Sequence, residues 1–363
     1  MLSNKLFFLA GLCLLLLYFL ISHRGFGSTV DAEAYLFAAK SLKNEFSLLS
    51  PFGYYTNWTP LFPFLIALFG LHFVQYTAFL LNIILLYQVG AVFLSKNSLY
   101  YFLFFLHSSF SVVFLMIHFF VWSEAWFLVF LLSLLCICLH QLAKRQLSAK
   151  ALVLMIMLAN LLCLQRMAGV FFVLAFTLLI ALYFSKKQAF LFGILSSIGI
   201  MAWFLRNSFL QSKPDFLDNI FMVSWQESLS GYSKAFFNNF LPSYWLPDIL
   251  AIALLFVAVC VLVFLLFQEK KNASLAWLSL YYLMAMFVLR MNVAGESERY
   301  LAPIQPLVLL IFWHKVEKWS KINLGRKLLY VSLFLMMTFQ TLRTVKNVKQ
   351  WCQTPPNLID SKN

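Results

Sequence analysis

Charge is scarce in this chain: 11% of its residues are charged, against about a quarter in an ordinary soluble domain. Apolar residues make up 63% and aromatic residues 18%, with a mean hydropathy of +0.85. A chain of 363 residues cannot hide that much apolar surface in one soluble core, which leaves a polytopic membrane protein. Cysteine offers no framework either. Cys13, Cys136, Cys138, Cys163 and Cys260 lie inside apolar runs and Cys352 lies near the end, with no C-x-x-C or Cys/His cluster, so neither a zinc site nor a disulfide scaffold follows. A cleavage signal is missing too. Lys5 and the apolar run Leu6 to Ile21 resemble a signal peptide, but Ser22-His23-Arg24-Gly25 has no A-x-A pattern, so the run reads as a first transmembrane helix. The net charge of +14 could suit nucleic acid, yet the basic residues sit in short turns between apolar runs, where they orient a chain in a bilayer.

What is present is a series of apolar runs near 75–94, 98–117, 121–140, 150–165, 168–184, 188–205, 246–267, 273–290, 300–314 and 326–343. With the first helix these predict an all-α fold of about 11 transmembrane helices, its N-terminus cytoplasmic. The ambiguous piece is Leu61 to Phe73. From Thr59 it offers roughly 22 Å of helix, short of a hydrocarbon core of about 30 Å. If it crossed, Lys96, Lys144, Arg145, Lys150, Lys186, Lys187, Lys270, Lys271, Lys315 and Lys318 would all move outside, against the positive-inside tendency, so it is expected to be re-entrant or interfacial. The expected layout is a transmembrane domain over 1–344, with interfacial helices in outer loops at about 22–74 and 207–245, then a short outer tail over 345–363 and no C-terminal soluble domain.

That topology sorts the carboxylates. Glu269 and Glu317 fall inside, whereas Asp31, Glu33, Glu124, Asp215, Asp218, Glu227, Asp248, Glu296 and Glu298 fall on the outer side or at its boundary. Asp31 and Glu33 stand just after the first span, where carboxylates near lipid need a water-filled or protein-lined site. Asp31 is then the edge of an active site, or the cap of a short helix over Ala32 to Asn44. Within that helix Ala34 to Leu42 reads as amphipathic, with Lys40 and Lys43 toward water. The following Pro51 to Pro60 is rich in turn formers and aromatics, which suit either a sugar or a membrane-interface belt. Further groups gather at helix ends: Ser123-Glu124, where a serine cap and a dipole-favoured glutamate would be a sufficient structural reason; Gln165-Arg166; Trp203 with Arg206-Asn207; and Glu296 with Glu298-Arg299-Tyr300. Each arginine could equally be a snorkelling anchor.

Taken in order, Asp31-x-Glu33-x-Tyr35, Asn57-Trp58-Thr59-Pro60-Leu61-Phe62-Pro63, Ser123-Glu124, Gln165-Arg166-x-x-Gly169, Trp203-x-x-Arg206-Asn207 and Glu298-Arg299-Tyr300 resemble the GT-C membrane glycosyltransferases. The likeness is greatest to the branch of protein O-mannosyltransferases and the lipid A aminoarabinose transferase. It runs from Leu6 to about Leu310. The resemblance implies inverting transfer of a sugar from a polyprenyl-phosphate donor to a lipid, glycan or protein acceptor, on the outer side of a bacterial inner or plasma membrane. It makes Asp31 the base, with Glu33 beside it as the second acid of a D-x-E pattern. Tyr35, Glu124, Arg166, Arg206, Arg299 and Tyr300 are the expected substrate-binding residues, with Arg299 first in line for the donor phosphate.

The residues fit that chemistry directly. A lipid-linked sugar needs a slot for its tail, cationic donors for the leaving phosphate and a carboxylate to take the acceptor proton. No cofactor is assigned, and a divalent metal is left open. The competing classes are a transporter or flippase of a lipid-linked or anionic substrate, expected to show repeated halves and midplane charges that this sequence lacks, and a polysaccharide polymerase or ligase centred on a late outer loop.

Overall fold

The computed structural model describes residues 4–51, 53–96, 98–210, 223–289, 296–321, 326–353 and 358–359. Asp215, Asp218 and the apolar loop residues Phe216, Ile220 and Phe221 lie outside the described residues. The chain is almost wholly helical: α1 (Asn4–Ser22), α2 (Val30–Glu45), α3 (Leu61–Phe69), α4 (Leu71–Phe93), α5 (Leu99–Ser109), α6 (Val112–Phe119), α7 (Glu124–Lys144) and α8 (Ala149–Gln165) come first. They are followed by α9 (Gly169–Tyr183), α10 (Lys186–Leu210), α11 (Trp225–Phe237), α12 (Asp248–Leu265), α13 (Lys270–Leu289), α14 (Ser297–Leu301), α15 (Gln305–Trp319) and α16 (Arg326–Gln353). Among the described residues four two-residue strands, β1 (Phe26–Gly27), β2 (Leu49–Ser50), β3 (Gly53–Tyr54) and β4 (Leu358–Ile359), make two small antiparallel pairs, β1 with β4 and β2 with β3.

Among the described residues six helices are long and apolar enough to cross a membrane: α1, α4, α7, α10, α12 and Lys327–Gln353 of α16. α5 and α6 make a seventh if they count as one span bent by 43°, and α8 and α9 are shorter apolar helices. Two of the expected spans are therefore broken. The run 98–117 divides at Phe110 and Ser111, and the run 300–314 divides around Pro303, because proline removes a backbone donor and crowds the preceding turn. The ambiguous Leu61 to Phe73 is divided as well. α3 stops at Gly70, whose φ of 80° is a conformation that side chains resist, and α4 starts afresh at Leu71.

The chain divides into two compact units. One comprises Met1–His23, Leu86–Met116 and Phe221–Pro355. In it α5 packs on α15, α13 on α12 and α15, and α11 on α12 and α14. Phe7 seats its ring among Tyr87, Tyr101 and Phe105, with centroids 4.5 to 5.6 Å away. At the basic ends of its helices Lys271 donates to the Val92 carbonyl at 3.0 Å and Lys318 pairs with Glu269 at 2.8 Å.

The other unit comprises Arg24–Leu85, Ile117–Ile220 and Pro356–Asn363. Here α8 packs on α7 and α10, α9 on α10, and α2 on α3. Asn160 on α8 clasps α10, donating to the Leu195 carbonyl at 2.8 Å while accepting the Gly199 N–H at 2.9 Å. Such a paired amide contact secures helices that lipid gives little hydrophobic reason to associate.

α2 shows how a short sequence sets the site's frame. Thr29 is extended and accepts the Ala32 N–H on its hydroxyl at 3.4 Å, so Thr29 is the cap and Asp31 lies within the first turn. The helix buries Ala32, Ala34, Tyr35, Ala38, Ala39 and Ser41 and leaves Glu33, Lys40 and Lys43 exposed, as the amphipathic pattern predicts. The serine-cap explanation of Ser123-Glu124 is likewise corrected: Ser123 has helical torsions and its hydroxyl makes no cap bond.

Between α8 and α9 the chain turns so tightly that a Cβ on Gly169 would stand 2.8 Å from the Cys163 nitrogen and the Leu162 carbonyl oxygen. Gly169→Ala should therefore destabilise the protein by about 1–3 kcal/mol, since the clash is with backbone that cannot step aside. Gly193→Ala meets only the Thr177 side chain at 3.3 Å and should cost less. Thermal unfolding of both variants in detergent checks the order, and equal midpoints would contradict it.

Candidate functional site

The segment from Gly53 to Thr59 leaves the β2–β3 hairpin and is fastened on three sides. Tyr55 is fully buried; its N–H donates to the Leu48 carbonyl at 3.1 Å and its hydroxyl to the Thr59 carbonyl at 3.4 Å. From the end of α10, Arg206 donates through one guanidinium nitrogen to the Tyr55 carbonyl at 3.1 Å and to the Asn207 side-chain oxygen at 2.9 Å. Asn207 in turn donates to the Thr56 carbonyl at 3.0 Å. These bonds satisfy a non-helical backbone that lipid could not.

Asp31 meets this segment directly. The Trp58 indole N–H donates to one Asp31 carboxylate oxygen at 3.2 Å. The indole lies 5.9 Å from the Tyr55 ring at 30° and 6.3 Å from the Tyr35 ring nearly edge-on, and Tyr55 approaches Trp203 at 6.4 Å. The Arg206 guanidinium sits 4.6 Å over the Trp203 ring, a cation–π contact. A continuous row of rings therefore leads from the carboxylate to the guanidinium. Burial, with the neighbouring Tyr35 hydroxyl and Asp31 carboxylate adding to it, raises the Tyr55 phenol well above its ordinary range and keeps it a neutral donor.

The rest of the predicted outer-side set is tied to the same frame. The Tyr35 hydroxyl lies 3.2 Å from the Ser123 hydroxyl, and Gln165 donates to the Ser123 carbonyl at 2.9 Å. Glu124, 2% exposed, forms an ion pair with Arg166. The Trp122 indole donates to the Thr29 hydroxyl at 2.9 Å, so the cap of α2 is itself held from the start of α7. Asp31, Tyr35, Glu124, Arg166 and Arg206 are thus brought into one bonded neighbourhood. Glu33 faces outward from it.

Arg299 and Tyr300 belong to the other unit and to a different network. Arg299 is buried and pairs with Glu296 at 3.0 Å, its guanidinium 5.8 Å from the Tyr300 ring. Glu298 takes an ion pair from Arg343 and a hydrogen bond from the Asn238 amide. Gln340 and Arg343 also donate to the Asn238 carbonyl, at 2.8 and 3.1 Å. The Tyr244 hydroxyl joins Glu298, and burial followed by that carboxylate's charge pushes the phenol upward, opposed by Arg343. In this arrangement each carboxylate of the cluster meets an arginine, Glu296 with Arg299 and Glu298 with Arg343. Arg343 and Gln340 were missed in the sequence because they stand near the end of an apolar run, where a basic group reads as an anchor.

Compared with known protein families and with curated proteins, the chain matches none. Its chemistry therefore rests on geometry. Among the described residues no group of three or more His, Cys, Asp or Glu side chains is placed to hold a metal ion. Arg166, Arg299 and Arg343 each pair with a carboxylate; among the described residues Arg206 has no carboxylate partner, only neutral oxygens.

The Glu124–Arg166 pair gives a test of the frame. Arg166→Gln removes the ion-pair partner of a buried carboxylate and should cost about 3–5 kcal/mol, whereas adding Glu124→Gln should recover much of the loss. Thermal unfolding of the single and double variants measures it, and additive losses would show that the pair is not the reason.

Proposed function

We propose that this protein is an integral-membrane glycosyltransferase of the GT-C kind, moving a sugar from a polyprenyl-phosphate donor to a lipid, glycan or protein hydroxyl on the outer side of the membrane. One observation carries the reading. A single short segment holds both a carboxylate, through Trp58 to Asp31, and, through Tyr55 to Arg206, an arginine with no carboxylate partner among the described residues. Those are the two charges that transfer from a sugar phosphate requires.

In the reaction Asp31 takes the proton of the acceptor hydroxyl as its oxygen attacks the sugar's anomeric carbon. The bond from that carbon to the phosphate oxygen breaks, its electron pair leaves with polyprenyl phosphate, and attack from the opposite face inverts the configuration. Arg206 faces the developing phosphate charge with charge-assisted hydrogen bonds. This order departs from the sequence-based preference for Arg299, whose guanidinium is already neutralised by Glu296. Glu33, exposed on α2, is the lesser acid, and Tyr35 steadies the indole.

The same contacts support eleven crossings with a cytoplasmic N-terminus. Groups that touch at helix ends lie on one side of a membrane, so an even number of crossings must separate them. Gly27 accepts the Val121 N–H at 3.0 Å, Tyr35 meets Ser123, Gln165 meets the Ser123 carbonyl, and Arg206 meets Tyr55. The first three pairs are separated by two crossings and the last by six when α5–α6 counts as one and α3 does not cross. β1 with β4 is separated by ten: α4, α5–α6, α7, α8, α9, α10, α12, α13, α14–α15 and α16. A crossing α3 would make that last count odd. The basic helix ends then face the cytoplasm of an inner or plasma membrane.

Two measurements test the reading. With the six native cysteines replaced, Glu33→Cys should react with an impermeant reagent added outside and Lys318→Cys should not. With a panel of polyprenyl-phosphate sugars, purified protein should release polyprenyl phosphate, Asp31→Asn should slow release about 10²-fold or more, and Arg206→Gln should weaken donor binding more than Arg299→Gln. Near-normal turnover by Asp31→Asn would remove the base assignment, and absence of release with every donor would remove the reading.

A further inference from the structure

We infer that Trp58 is a positioning residue for Asp31, aiming its carboxylate at the acceptor by holding one oxygen in place; this rests on the glycosyltransferase reading above. Trp58 is half-buried and its indole N–H reaches Asp31 across twenty-seven positions of sequence, so the contact is not a by-product of local helix geometry. It is also held rigidly. The ring is braced by Tyr35 on one side and Tyr55 on the other, and the backbone beneath it is pinned at Leu48, Thr59, Arg206 and Asn207. Such an indole has little freedom to follow a wandering carboxylate, so the carboxylate must come to the indole.

A general base works only when its lone pair lies within hydrogen-bond reach of the proton it removes, and small misplacements are costly. Asp31 stands in the first turn of α2, where the Thr29 cap fixes the backbone but leaves side-chain rotation to be set from outside the helix. Trp58 supplies that restraint. An indole donates and never accepts, so its N–H selects a carboxylate oxygen and cannot compete for the acceptor's proton. Among the described ionisable groups Tyr35 and Tyr55 bracket the indole, Glu33 is exposed on the same helix as Asp31, and Glu124, paired with Arg166, stands at the start of α7.

The test separates positioning from packing. Trp58→Phe retains an aromatic ring between Tyr35 and Tyr55 but removes the N–H. It should lower kcat for polyprenyl phosphate release about 10-fold while leaving KM for the donor within about two-fold, because the donor phosphate is held by Arg206. A packing defect would instead lower the folded amount and move both constants. Independently of turnover, 5-fluorotryptophan can be incorporated and the position-58 resonance identified by its loss in Trp58→Phe. That fluorine resonance should shift in Asp31→Asn and stay in Glu33→Gln. An unshifted resonance in Asp31→Asn, or an unchanged kcat in Trp58→Phe when the parent protein is active, would overturn the inference. A shifted resonance in a protein that releases no polyprenyl phosphate from any donor would leave the Trp58–Asp31 contact standing and overturn both the glycosyltransferase reading and the catalytic purpose of that contact.

Discussion

A polar group withdrawn from water in a chain this apolar must find its partner within the chain, and the structure is arranged around that requirement. In the unit that carries Asp31, the end of α8 and Tyr35 of α2 bond to Ser123 at the start of α7, and the end of α10 bonds to the segment from Gly53 to Thr59. Hydrophobicity cannot discriminate among helix neighbours when lipid is as apolar as any side chain. The bonds at Asn160, Ser123, Arg206 and Asn207 do discriminate, since each needs a partner of suitable geometry. The site is therefore less an addition to the fold than the part of it where these polar demands converge.

The two arginine networks show how the same residue type serves different ends. Arg166, Arg299 and Arg343 are paired with carboxylates and close circuits that would otherwise be expensive to leave open. Among the described residues Arg206 is held by neutral oxygens and an indole face, which fix its position without cancelling its charge.

Much of the helical order was legible in the sequence because span lengths follow from bilayer thickness and basic turns mark one side. α8 and α9 fall within a residue or two of the apolar runs that predict them. The breaks at Gly70, Phe110 and Pro303 were less so: each is a local event inside an apolar stretch, where hydropathy is silent about direction. For the candidate site, residue types and their order pointed to Asp31, Glu33, Tyr35, Glu124, Arg166, Arg206, Arg299 and Tyr300, without distinguishing the last two, which lie in another network. Pairing was not legible. That Arg299 has a carboxylate partner while Arg206 has none among the described residues, that Thr29 rather than Asp31 caps α2, and that Trp58 touches Asp31 are facts decided by which chain segments meet.

The pairing of β1 with β4 has a consequence for how the protein matures. Phe26–Gly27 leads straight into the helix that carries Asp31, yet its strand partner, Leu358–Ile359, emerges only after α16 has been made. Closing so distant a contact must wait until every intervening helix has been synthesised. The entrance to α2 is accordingly one of the first parts synthesised and among the last completed, so a ribosome-bound or truncated chain would carry all the helices of the Asp31 unit and still lack the finished turn in front of them.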